Sequence, residues 1–210
     1  MVIWTCIVQN GRSFIMNAND ITTIFSTWHI VRAAGLTAYL LLFVISACGL
    51  LISLRLLPLP YRTAAMAIHK TASQSCVILT LIHVLLLLGD DYTQFTLADV
   101  LIPLWADDYG AEMATGILAF DSLLLITIFA IPVIMKKVGN NVWRKAHYLA
   151  LPVFWLTLYH GFTAGTDTKA TGIMALYLIT GAAMMVLCGL KAGRIMKKGQ
   201  QTYEYSSCRR

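Results

Sequence analysis

Five apolar runs, each long enough to cross a hydrocarbon layer of roughly 30 Å, recur near residues 30–54, 64–88, 113–135, 142–163 and 173–190. Inside lipid, backbone N–H and C=O groups find no water, so a spanning segment must be a helix or part of a closed barrel. A barrel needs sustained alternation of polar and apolar residues, and these runs have none. With 58% apolar and 12% charged residues, the chain reads as an all-α integral membrane bundle of about five transmembrane helices, or six, in contact with membrane lipid.

The net charge of +6 is topological and does not point to nucleic acid. Arg55, Arg62 and Lys70 lie between the first and second runs or at the start of the second, and Lys136, Lys137, Arg144 and Lys145 between the third and fourth or at the start of the fourth. Lys191, Arg194, Lys197, Lys198, Arg209 and Arg210 follow the fifth. The loop 89–112 has neither Lys nor Arg and carries Asp90, Asp91, Asp99, Asp107, Asp108 and Glu112. The positive-inside rule then predicts a multi-pass protein with its N-terminus outside and its C-terminus in the cytoplasm. Residues 1–27 read as an extracytoplasmic arm whichever of Met1 or Met16 is the start, and 197–210 as a basic cytoplasmic tail. The five cysteines form neither C-x-x-C nor the haem-attachment pattern C-x-x-C-H, which argues against a thiol relay and covalent haem.

Four of the five histidines fall inside the second and fourth runs, where an ionisable side chain is costly unless it is used. His69 and His83 are 14 residues apart, and His147 and His160 are 13 apart. Each pair is separated by about 20 Å along its helix. The two helices run in the same direction, so His69 matches His147 in depth near the cytoplasmic end, and His83 matches His160 near the outer end. Facing helices would present one imidazole pair at each level, and haem iron takes two axial imidazoles. Fourteen residues leave His69 and His83 within roughly 40° of one face. Thirteen do not, so the fourth span must be wound irregularly, and Pro152 provides the means. The alternative is four core histidines hydrogen-bonded to neighbouring helices. A single zinc ion is a poorer account, since ligands about 20 Å apart cannot share it.

The chain resembles the ferric reductase-like transmembrane domain of yeast ferric reductases, NADPH oxidases and the haem-binding membrane subunit of a bacterial methionine sulfoxide reductase. The resemblance rests on the two histidine spacings, VRAAGLTAYLLLF, FTLADVLIPLW and VWRKAHYLALPVFWLTLYHGFTAGTDT, over roughly 28–190 within a domain placed at 28–196. It implies two stacked, non-covalent b haems, the inner ligated by His69 with His147 and the outer by His83 with His160. It also implies electron transfer across the plasma membrane to an extracytoplasmic acceptor, a protein or a small molecule. No G-x-G-x-x-G follows a strand, so no FAD or NAD(P) site is expected in this chain. A separate flavoprotein reductase or a quinol is then expected as donor, which makes the chain the electron-transfer membrane subunit of an oxidoreductase. The rival functions are a membrane proton or ion transporter and a haem-free assembly protein, either of which would use the buried histidines otherwise.

Haem propionates are anionic, so cations near each level are candidate partners. Arg32 fits the outer level and is also a candidate partner for Asp121. Arg144, with Arg62, Lys70 and Lys145, fits the inner level, although a basic rim would exist without haem. Phe154 and Trp155 fall midway between the levels, as packing residues or as a bridge. Trp28 and His29 read as an interfacial pair. Gly35, Gly49, Gly116, Gly161, Gly165 and Gly181 permit close approach or turns, Gly161 making room for the macrocycle beside His160. LADVLIPL is too short to cross and reads as a cap over the outer site.

Overall fold

A computed structural model of the protein describes residues 6–9, 12–15, 27–89, 95–103 and 110–207. Asp90, Asp91, Asp107 and Asp108, most of the N-terminal arm and the last three residues of the basic tail lie outside the described residues. Within the arm, strands β1 (Cys6–Gln9) and β2 (Arg12–Ile15) pair antiparallel, Cys6 opposite Ile15. The remaining elements are helical: α1 (Thr27–Ser53), α2 (Leu59–Leu88), α3 (Leu97–Leu101), α4 (Ala111–Ala130), α5 (Pro132–Val138), α6 (Asn140–His147), α7 (Ala150–Ala164), a short 3-10 turn (Thr166–Lys169) and α8 (Thr171–Ser207).

Among the described residues four helices, not five, are each long and apolar enough to span alone: α1, α2, α4 and α8 over Thr171–Lys198. The expected span at 142–163 is divided into α6 and α7. Pro152 has no N–H to offer the Tyr148 carbonyl, which is met instead by the Leu151 N–H at 3.4 Å, one residue short of an α-helical bond. The Leu149 N–H likewise reaches only back to Ala146, at 3.0 Å. Winding is therefore irregular where the 13-residue histidine spacing requires it. Pro132 acts similarly at the end of the third span, holding Ile131 extended at ψ 126° and separating α5 from α4.

Other ends are fixed locally. Arg55 adopts a positive φ of 51°, and the bonds Leu56 N–H to Leu51 and Arg55 N–H to Ile52 complete a Schellman stop for α1. The same end is held by α8, where Arg194 donates to the Leu54 carbonyl and Lys191 to the Ser53 hydroxyl. The α3 segment begins with a capping box in which Thr96 and Asp99 satisfy each other's backbone N–H groups. The Thr96 hydroxyl, and then the Thr96 N–H, hold the Asp99 carboxyl below its usual range.

Helix α1 packs along α2 and α4 along α7, whereas α2, which carries His69 and His83, makes little contact with α7, which carries His160. The two pairs are joined by a midplane core centred on α1, α7 and α8. Phe154 is completely buried there, with ring centres 5.9 Å from Tyr39, 6.2 Å from Phe43 and 5.3 Å from Trp155. The Tyr39 hydroxyl bonds that of Thr180, and its ring lies 4.9 Å from Tyr177. Phe154 is thus a packing residue, and Phe154→Ala should destabilise the protein by about 3 kcal/mol, the usual scale for deleting a buried aromatic ring. A thermal scan of the detergent-solubilised variant checks this through a lowered midpoint.

Candidate functional site

His69 is held from α1. Its Nδ1 lies 2.9 Å from the Ile45 carbonyl oxygen, and its ring rests against Gly49. His83 repeats the arrangement one level away, Nδ1 at 2.8 Å from the Val31 carbonyl and its ring against Gly35. His160 finds the same on α4, Nδ1 at 2.8 Å from the Glu112 carbonyl and its ring against Gly116. In each case the carbonyl belongs to the residue four before the glycine. A carbonyl only accepts, so Nδ1 bears the proton and Nε2 keeps its lone pair for a metal.

The glycines leave the space the rings fill. A Cβ on Gly116 would stand 2.6 Å from His160 Nδ1, and one on Gly35 would stand 3.0 Å from His83 Nδ1. Neither fits without displacement of the ring. On Gly49 the nearest ring atom would be 3.6 Å away, an ordinary contact. His147, the fourth, is placed differently. It stacks on Trp143 with centres 5.2 Å apart and planes 18° from parallel.

Two of the histidines meet directly, and the other two share a cavity. The His69 and His147 ring centres are 6.0 Å apart. Two metal–imidazole bonds of about 2 Å, with the metal between the rings, give a separation of that order. His83 and His160 line one cavity, enclosed by apolar side chains of α1, α2, α4, α7 and α8. Its floor is formed by Leu42, Cys76 and Val153, and its mouth by Trp28, Arg32, Asp99 and Asp167. Among the described residues no three His, Cys, Asp or Glu side chains gather to hold a bare metal ion. An imidazole pair at one level and two imidazoles lining one cavity at the other instead suit a metal whose other positions are supplied by a flat organic ligand.

The family model of the ferric reductase like transmembrane component matches residues 33–158. The chain belongs to that family. Searches of curated proteins and of solved structures give no match. The match to the ferric reductase like transmembrane component spans His69, His83 and His147, together with Gly35, Gly49 and Gly116. His160 stands two residues beyond it.

Several expectations change. Arg32 pairs with Asp167 and not with Asp121, its Nε donating to Oδ2 at 2.7 Å while a second guanidinium N–H reaches Oδ1. Helix α4, which carries Asp121, packs on α7 and lies away from α1. Gly161 makes room for Tyr177, since a Cβ there would be 2.7 Å from the Tyr177 hydroxyl, and it also lines the cavity of His83 and His160. Arg144 is exposed on α6 and donates to Asn141 Oδ1 at 3.0 Å. The LADVLIPL segment supplies α3, whose Asp99 and Val100 line the His83–His160 cavity. Trp28 faces the same cavity and so does more than mark an interface.

Two features are invisible to the histidine spacing alone: the carbonyls of Val31, Ile45 and Glu112, and the Trp143 stack. A signal for the first existed. Gly35 and Gly49 are separated by 14 residues, as are His69 and His83.

Proposed function

We propose that this protein moves electrons across the plasma membrane, with His69 and His147 as axial ligands of one b-type haem and His83 and His160 of another. The observation that carries the reading is the pairing of four intramembrane imidazoles at two levels, three with Nδ1 held by a backbone carbonyl and Nε2 free. When bound, each haem supplies a one-electron ferric–ferrous couple. The protein's part is to hold and orient. The carbonyls fix tautomer and ring plane, the glycines admit the rings, and the midplane core keeps water from the space between levels.

Arg32, at the cavity mouth, is placed to receive an anionic propionate while keeping Asp167 as a partner. Arg144 would do the same at the other level. Charge placement puts the His69–His147 level on the cytoplasmic side, where a flavoprotein reductase or a quinol donates, and the His83–His160 level toward an external acceptor. The haem-holding unit spans 28–196, between an external arm and the basic tail at 197–210.

The test uses liposomes containing the purified, haem-loaded protein, a ferric chelate sealed inside and an impermeant reductant outside. The internal chelate should be reduced several-fold faster than in protein-free liposomes, and His83→Ala should abolish the difference. Equal rates with and without the protein would overturn the reading.

A further inference from the structure

Three of the four histidines share one device, and the fourth lacks it for a reason visible in its neighbour. On α4 the carbonyl and glycine that serve His160 are Glu112 and Gly116. About 13 residues further along, where His147 would need the same, α4 has Leu125 and Phe129 in the places of Glu112 and Gly116, and it breaks soon after, at Ile131 and Pro132. No glycine occurs between Gly116 and Gly139 to admit a ring. Among the described residues no side chain or carbonyl hydrogen-bonds His147. What it does have is Trp143, one turn earlier on α6, stacked nearly parallel at 5.2 Å. His147 is also the last residue of α6, adjoining the irregular turn at Tyr148 and Leu149.

We propose that Trp143 is the positioning residue for His147, setting its ring plane by stacking where the other three ligands are set by a carbonyl. The proposal rests on the reading of His147 as a haem ligand. Stacking fixes the plane of an imidazole but neither its tautomer nor its distance from the opposite ligand. The His69–His147 level is therefore the more adjustable of the two, and its ligand field depends on one aromatic side chain.

Two variants of the full-length, haem-loaded protein separate this from a general packing role. Trp143→Leu keeps apolar bulk without a ring, and Trp143→Phe keeps a ring. Haem retention is read by transfer to an excess of apomyoglobin, and ligand geometry by the low-temperature electron paramagnetic resonance signals of the two low-spin centres. The haem at His83–His160 serves as an internal control for folding.

Trp143→Leu should release haem from the His69–His147 level about tenfold more readily, the low end of what removing a supporting group around a metal ligand does. It should shift only that centre's resonance, and Trp143→Phe should restore most of both. A Trp143→Leu protein matching the unmodified one overturns the proposal, as does a Trp143→Phe protein behaving like Trp143→Leu, or equal loss at both levels. If the unmodified protein binds no haem, the underlying reading fails and this one with it. If it binds two and Trp143→Leu changes nothing, only this one fails.

Discussion

His83→Ala and His160→Ala should each lower the haem content from about two per chain to about one, leaving the remaining centre spectroscopically unchanged. The two residues line one cavity, and neither His69 nor His147 is among the residues that line it. Removing one axial imidazole leaves the opposite one alone with a haem that nothing else ligates. His69→Ala and His147→Ala should remove the complementary centre, since those rings face each other at 6.0 Å. Haem extraction with pyridine counts the loss, and the reduced-minus-oxidised spectrum shows which centre remains. Loss of both haems from a single His83→Ala change, or of neither, would contradict the pairing.

A graded result is expected from the glycines. Gly116→Ala puts a methyl group 2.6 Å from His160 Nδ1, well inside contact distance. The ring must then leave the Glu112 carbonyl or push α7 away from α4. Overpacking of this kind costs about 1–3 kcal/mol, enough to weaken haem binding at that level roughly tenfold or more. Gly35→Ala, at 3.0 Å from the His83 ring, should do the same more mildly. Gly49→Ala, whose methyl group would sit at an ordinary contact distance of 3.6 Å from the His69 ring, should be close to neutral. Haem occupancy of the three purified variants checks the order, and a Gly116→Ala protein with full occupancy would remove the glycines from the account.

The positions of the four histidines were legible because span boundaries and the rise of a helix fix depth, and because 14 residues nearly complete four turns. The irregularity between His147 and His160 was legible from Pro152, whose missing N–H acts on Tyr148 wherever the chain goes. The partner of Arg32 was not. It comes from a 3-10 turn 135 residues away, and which acid reaches α1 depends on how α7 ends, not on depth alone. Asp121 lies in the membrane, but α4 faces α7. The carbonyl acceptors leave no trace in side-chain identity. Only the glycines four residues later record them, and the pattern Gly35 to Gly49 acquires meaning once α1 is known to lie along α2. Trp143 stands four residues before His147, the spacing at which helix side chains meet, but nothing in the sequence says that His147 has no carbonyl of its own.

The central claim is that four imidazoles form two ligand pairs for two haems, and the most direct measurement is the haem content and spectrum of the purified, unmodified protein. The account predicts about two pyridine-extractable haems per chain, a low-spin spectrum, and no high-spin fraction when both levels are filled. Well-folded protein that takes up no haem when expressed with an ample supply would contradict it.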